Sequence, residues 1–274
     1  MHATTTGQLK KIAEGREAEI YEWEPGTVLR LFRDAGRADS VARERAAMDV
    51  VRAAVPLVPA VLDVVEISGR PGIVMERVDG PDLLTMISQK PWTVWSAGRI
   101  TGEVHARLHS IAAPAAIPSL RERAESYRGG SPLVPARIAE WALRGMEAMP
   151  DGDRLLHGDF HPGNILMSAA GPVVIDWPNV TRGNPDADLG RTALMIRMGS
   201  LPPGSPLVIR VGARFARSLL LMSYMRAYKR ARRFDEAAVQ RWGTLRAVDR
   251  LADNIQDERD ALMSIIDKAM AADA

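Results

Sequence analysis

The first third of the chain alternates short apolar runs with strong turn signals, the pattern of a small sheet. Glu19–Trp23 and Thr27–Phe32 read as strands joined at Pro25-Gly26. Ser40–Arg52 carries Val41, Met48 and Val51 on one helical face. Ala60–Ile67 and Gly72–Arg77 read as further strands about the turn Ser68-Gly69-Arg70-Pro71-Gly72. Five strands and one helix are expected here, a small α+β unit. After Asp79-Gly80-Pro81 helical periodicity takes over. Ile100, Val104, Leu108 and Ile111 share one face of Ala97–Ala112, Leu133–Met149 is also periodic, and three long helical segments follow Pro206. Two short apolar runs, Ile165–Met167 and Val173–Ile175, form a β element embedded among those helices. The boundary is expected near Asp79–Leu83, dividing the chain into 1–79 and 80–274.

Composition narrows the class. With 46% hydrophobic and 26% charged residues in 274, the chain is an ordinary globular one, neither disordered, collagenous nor coiled coil. No run approaches the roughly 18 uncharged apolar residues of a membrane helix, and MHATTTGQLKK lacks the apolar core of a signal peptide. The absence of cysteine excludes disulfides, thiolate metal sites and a cysteine nucleophile. These features lead us to expect a complete, cytoplasmic protein with no membrane partner. The net charge of +2 conceals an acidic stretch between Glu14 and Glu24 and a basic one from Arg210 to Arg250. In the basic stretch arginines alternate with Leu219, Leu220, Met222 and Met225 at helical spacing, which reads as an amphipathic helix rather than a nucleic-acid surface.

The embedded β element is flanked by the chemistry. His157 to Leu166 reads HGDFHPGNIL, and Val173 to Trp177 reads VVIDW. Gly158, Pro162 and Gly163 shape a turn that presents titratable groups. Taken singly, each is an ordinary turn former or cap. Taken together they suit phosphoryl transfer, which needs a carboxylate to accept a hydroxyl proton and oxygen ligands for the metal on the phosphates. Asp159 and Asn164 are five apart, the spacing of the protein-kinase pattern H-R-D-L-x-x-x-N, and Asp176 ends the next strand as the D-F-G aspartate does. Oxygen-only ligands match Mg²⁺. A metal-dependent phosphoesterase would need further histidine ligands, yet the five histidines end at His161.

The stretch HGDFHPGNIL…VVIDW…NPDADLGR resembles the aminoglycoside phosphotransferase and choline-kinase-like family of small-molecule kinases. The resemblance implies a protein-kinase-like bilobal fold, with a small β-rich N-lobe, a hinge and a larger, mainly helical C-lobe. It implies Asp159 as catalytic base and His157 as a loop organiser. Asn164 and Asp176 would be the Mg²⁺ ligands, and Asp188 would hold the catalytic loop by hydrogen bonds. His109 matches a structural helix-end histidine. Gly15 to Tyr21 would cover the phosphates. The strand Thr27–Leu31 should carry a phosphate-contacting lysine, but it carries Arg30, with Glu44 on the next helix as its natural partner. Gly72–Val78 would be the hinge, with backbone groups of Glu76 and Val78 on the purine.

The expected activity is therefore transfer of the γ-phosphate of ATP (or GTP), with Mg²⁺, to a hydroxyl of a small molecule. An aminoglycoside-type antibiotic and a hydroxylated metabolite both remain open as acceptor, with Tyr127, Trp141, Trp177, Asn179 and the tail at Asp253–Asp260 as its candidate lining. Because the usual lysine is missing, a non-catalytic, nucleotide-binding regulatory module is the alternative.

Overall fold

The computed structural model describes residues 9–15, 17–199 and 207–273. In chain order its elements are β1 (Lys11–Glu14), β2 (Ala18–Glu22), β3 (Thr27–Phe32), α1 (Ala38–Ala54), β4 (Val61–Ile67) and β5 (Arg70–Glu76). Next come α2 (Leu83–Gln89), α3 (Val94–Leu108), α4 (Leu120–Ala124), α5 (Ala136–Ala148), β6 (Arg154–Leu156), β7 (Ile165–Ser168), β8 (Gly171–Val174) and β9 (Thr181–Gly183). The remainder is α6 (Pro185–Met198), α7 (Leu207–Ala231), α8 (Glu236–Leu245), α9 (Ala247–Ala252) and α10 (Arg259–Ala272). Two compact units result, one running to Asp82 and including Asn164–Val180, the other made of Leu83–Gly163 and Thr181–Ala274.

The first unit is an antiparallel sheet in the order β1-β2-β3-β5-β4 with α1. The fifth strand, β1, is one that the hydrophobic pattern did not locate, because all four of its residues are exposed. Ile67 pairs with Arg70, so the β4–β5 turn is only Ser68-Gly69, both at positive φ as a two-residue hairpin of primed type requires. The strand therefore starts at Arg70, ahead of the expected Gly72. Central strand β3 buries both faces. Leu29 and Leu31 join Tyr21, Ile67 and Val74 in one cluster, and strand alternation turns Arg30 to the other face. On α1 the buried stripe is Val41, Glu44, Ala47, Met48 and Val51, so Glu44 occupies a position that periodicity reserves for an apolar residue.

The β7–β8 hairpin packs with this first unit rather than with the helices around it in sequence. Val174 N–H donates to Leu57 O (2.7 Å) and Met167 N–H to Pro81 O (2.9 Å). Gly80, at φ +146°, is where the chain passes the hairpin. A Cβ there would sit 2.1 Å from Met167 O.

The second unit is helical, with the small pair β6–β9 at its edge. Its core gathers Trp141, Trp242, Leu245, Val248, Leu251, Leu262 and Ile266 from α5, α8, α9 and α10. Helix α6 is buried on nearly every side from Pro185 to Ile196, and it is capped by Asn184 with Pro185 in the first turn. Helix α3 ends at Leu108, short of the expected Ala112. It packs closely on α7 through Gly98 and Gly102, where a Cβ would meet Leu220 O at 2.6 Å and Tyr224 O at 2.4 Å. No helix among the described residues is long and apolar enough to cross a membrane.

Candidate active site

In the first unit, Arg30 of β3 reaches two carboxylates at once. Its Nη1 donates to Glu44 Oε1 in a very short contact, and its Nη2 donates to Asp176 Oδ1 at 2.5 Å. Glu44 is fully enclosed, and among the described residues its Oε2 has no hydrogen-bond partner. Burial pushes this carboxyl up to about 7 against the pull of the Arg30 guanidinium. Glu44 also accepts from Trp177 N–H (3.3 Å), which fixes the peptide after Asp176. Asp176 sits at φ +69°, a left-handed conformation that an aspartate tolerates better than a branched residue. Among the described residues its carboxylate is engaged only at Oδ1, and its side chain is 40% exposed, so the second oxygen is available to a ligand.

The hairpin brings Asn164 and Asp176 to one end of the first unit. Asn164 precedes β7 and Asp176 follows β8, with Ile165 paired to Val174 and Ile175 N–H on Asn164 O at 3.0 Å. An amide and a carboxylate are oxygen donors of the kind Mg²⁺ takes when waters and phosphate oxygens complete its shell.

At the end of β5, Glu76 N–H is taken by Ala60 O and Arg77 N–H by Gly26 O, both at 2.9 Å. Val78 N–H carries no hydrogen bond among the described residues. The Glu76 carboxylate accepts from Ala60 N–H (3.1 Å) and lies 3.4 Å from Arg52, so this side chain braces β4. The loop expected over the phosphates reduces to Gly15, Arg16 and Glu17 between β1 and β2, of which Arg16 lies outside the described residues.

In the second unit the loop carrying Asp159 is held by α6. Asp188, Arg191 and Thr192 lie three and four residues apart and therefore share a face. Asp188 accepts from His157 N–H (2.7 Å) and Gly158 N–H (3.0 Å). Arg191 Nε donates to Gly158 O (2.5 Å), and Thr192 Oγ1 donates to Phe160 O (2.9 Å). Gly158, at φ +79°, makes the bend these bonds require. His157 is buried, and its Nδ1 accepts from Asp159 N–H (3.2 Å). The Asp159 side chain is 22% exposed, with His161 Nε2 at 4.0 Å and Arg191 Nη2 at 3.8 Å.

Two histidines complete the support of Asp188. His105 on α3 and His109 at its C-cap direct Nε2 at Asp188 Oδ2 (3.2 and 3.4 Å), and their Nδ1 atoms meet Tyr224 OH (2.8 Å) and Tyr228 OH (2.7 Å) on α7. The repeat of four on each helix aligns the two rungs. His105 also stacks on Phe160, centroids 3.9 Å apart. Burial, with His109 alongside, lowers His105 to about 3, and burial lowers His109 too. Both rings are neutral Nε2–H donors. Burial alone would raise Asp188, but the hydrogen bonds from His105 and His109 outweigh it and hold the carboxyl well below its usual range.

Other expected residues are placed elsewhere. Trp141 is core, its indole N–H donating to Asp273 (2.7 Å), and Trp177 is fully buried with Nε1 on Val174 O (3.2 Å), so neither ring lines a pocket. Asp257 and Asp260 are exposed, and Glu258 is buried in a fork with Arg250. Sequence reading missed His105, Arg191, Thr192, Tyr224 and Tyr228. The repeats of three and four in the sequence were the available signal.

A family model described as "Phosphotransferase enzyme family" matches residues 8–242. A hydroxyurea phosphotransferase of Kitasatospora aureofaciens is 30% identical over 128 residues, 43% of this chain and 37% of that protein, so the match spans little more than a third of the relative. Among solved structures, a thermostable mutant of aminoglycoside phosphotransferase APH(4)-Ia superposes with TM-score 0.63 at 17% identity, covering 97% of this chain and 94% of that one. The GDP and kanamycin complex of an APH(2″) enzyme gives TM-score 0.58 at 14% identity, covering 97% and 94%. At such identities the likeness establishes the fold. It is protein-kinase-like, a small antiparallel-sheet part followed by a larger helical one.

Proposed function

The chain belongs to the phosphotransferase enzyme family, and from that premise we propose that it moves the γ-phosphoryl group of a nucleoside triphosphate to a hydroxyl of a small molecule, with Mg²⁺. The observation that carries the reading is the Asp159 loop. A carboxylate is presented with its preceding residue, Gly158, tied at both N–H and C=O to one buried helix. Solved relatives include a ternary complex with AMP-PNP and hygromycin B and a complex with GDP and kanamycin, which supports nucleotide use.

In this reading Asp159 orients the acceptor hydroxyl and takes its proton at the carboxylate. His157 and Asp188 keep that carboxylate in place. Asn164 and Asp176 hold Mg²⁺, which when bound neutralises phosphate charge. Arg30, anchored by Glu44, supplies the cation that lysine provides in protein kinases, and its second Nη spans to Asp176. Backbone groups of Glu76 and Val78 bind the purine, for which the unpaired Val78 N–H is suited. Catalysis is then mainly positioning and electrostatics.

The acceptor is a compact molecule of low charge rather than a polycation. Carboxylates of the second unit around Arg191 and Arg250 are already paired. Asp249 contacts Arg246 closely and lies 3.6 Å from Arg191, Asp253 is 3.1 Å from Arg191, and Glu258 takes a two-bond fork from Arg250. A polycationic aminoglycoside would have to displace these arginines. Hydroxyurea, an uncharged molecule with one hydroxyl, fits this balance, as the name of the 30%-identical relative suggests.

Two experiments test the reading. Thermal-shift titration with ATP and GTP, each with and without Mg²⁺, should show a Mg²⁺-dependent rise. No rise with either would contradict nucleotide use, and a rise without turnover of any acceptor would favour the non-catalytic nucleotide-binding module. An acceptor panel should give turnover with hydroxyurea and small alcohols and none with kanamycin. The reverse order would overturn the low-charge assignment.

A further inference from the structure

Arg191 is buried to 3% side-chain exposure, yet its three nitrogens serve different ends. Nε donates to the carbonyl of Gly158, the residue before Asp159, at 2.5 Å. Nη2 donates to Asp253 Oδ2 (3.1 Å) and lies 3.8 Å from Asp159 Oδ1, while Nη1 lies 3.6 Å from Asp249 Oδ2 without a hydrogen bond. A side chain that merely neutralised Asp249 and Asp253 would not need its Nε on the catalytic loop. The other titratable groups around it are Tyr127, a neutral phenol that Asp249 and burial push up, and the like charges Arg246 and Arg123. Burial works against the Arg191 charge, but Asp249, Asp253 and Asp159 outweigh it and keep the guanidinium protonated.

We propose that Arg191 is a positioning residue for phosphoryl transfer: one edge of its guanidinium fixes the Gly158–Asp159 peptide, and the other places a permanent cation beside the Asp159 carboxylate. This inference rests on Asp159 being the catalytic base. The planar fork is what matters. A lysine in the same place supplies one point charge, able to satisfy the carboxylates or the Gly158 carbonyl but not both with fixed geometry. Asp159 and Asp253 both lie against the Nη2 of this guanidinium, with Arg250 also 3.7 Å from Asp253, so the position of Arg191 bears on which way the Asp159 carboxylate faces. Misplacing a reacting group by about 1 Å can cost about a hundredfold in rate.

The test compares Arg191→Lys and Arg191→Ala in the full chain. Turnover of MgATP is followed with hydroxyurea and with water alone as acceptor, and nucleotide affinity is measured separately by calorimetry. In Arg191→Lys, kcat should fall roughly tenfold to a hundredfold, with nucleotide affinity within about twofold of wild type. In Arg191→Ala, free guanidinium ion at low millimolar concentration should restore part of kcat where methylammonium does not. If the alanine variant fails to fold, the lysine variant decides alone. Wild-type kcat in Arg191→Lys, or a loss that tracks nucleotide affinity and melting temperature together, overturns the inference. Asp159→Asn separates the two levels. If it stays active, the assignment of Asp159 as the base fails and with it the premise of this inference, whereas an inactive Asp159→Asn beside a fully active Arg191→Lys refutes Arg191 alone.

Discussion

Replacing Asp188 by asparagine keeps the volume and removes the charge at the junction of α3, α6 and the Asp159 loop. In the native structure Oδ2 takes His157 N–H, His105 and His109, and Oδ1 takes Gly158 N–H. The amide can keep its oxygen toward the three donors only by turning its NH₂ against Gly158 N–H, and the opposite flip confronts three. The better orientation strands one buried donor, at about 1–3 kcal/mol, and converts three charge-assisted bonds into neutral ones, at roughly 1 kcal/mol each. Part is recovered because no charge need be buried, leaving about 2–5 kcal/mol. For a chain this long that corresponds to a fall of about 4–9 °C in melting temperature. Turnover should fall too, since the peptide before Asp159 loses its tie, while nucleotide binding should persist because Arg30, Glu44 and Asp176 belong to the other unit. Calorimetric melting and steady-state turnover check both. The expected fall is at least about 4 °C, so a variant melting within about 1 °C of wild type with unchanged turnover would refute the reasoning.

Acid should destabilise the protein through the same cluster. His105 titrates at about 3 when folded against an ordinary 6.5, so below pH 6.5 the unfolded chain takes up a proton that the folded one refuses. Stability therefore falls as pH drops from 6.5 toward 3, by up to about 1.4 kcal/mol per pH unit from this group, with His109 acting in the same direction. Urea midpoints at pH 7.5 and 5.0 measure it, and identical midpoints would contradict the buried neutral assignment. Gly102→Ala would press a Cβ against Tyr224 O at 2.4 Å and Tyr228 N at 2.8 Å, prying α3 from α7. A loss of about 1–3 kcal/mol in denaturant unfolding is expected, and an unchanged midpoint would show that the two helices can part at no cost.

Local signals made much of this legible. The run HGDFHPGNIL and the strand ending at Asp176 stood out because glycine, proline and titratable residues crowd one short stretch. Arg30 and Glu44 followed from the family resemblance, which implies a cation on that strand and a carboxylate on the next helix, and the structure brings the two together. What sequence could not supply were partnerships set by tertiary packing. His105 meets Asp188 across 83 residues and Tyr224 across 119, and the repeats of three and four that carry them do not say which helix faces which. The β7–β8 hairpin misled for the same reason. It lies among helices in sequence, but its hydrogen bonds to Leu57 and Pro81 place it with the sheet. The tryptophans chosen as pocket lining, Trp141 and Trp177, are core residues, since their large apolar rings gain more from burial than from lining an acceptor site.

The most direct test of the account follows the phosphoryl group itself. Wild type and Asp159→Asn are incubated with γ-labelled ATP, Mg²⁺ and hydroxyurea, and label is sought in the acceptor. Transfer by the wild type, abolished in Asp159→Asn although MgATP still raises its melting temperature, is the predicted result. Label transfer at the wild-type rate by Asp159→Asn would contradict the assignment of Asp159 as the group that takes the hydroxyl proton.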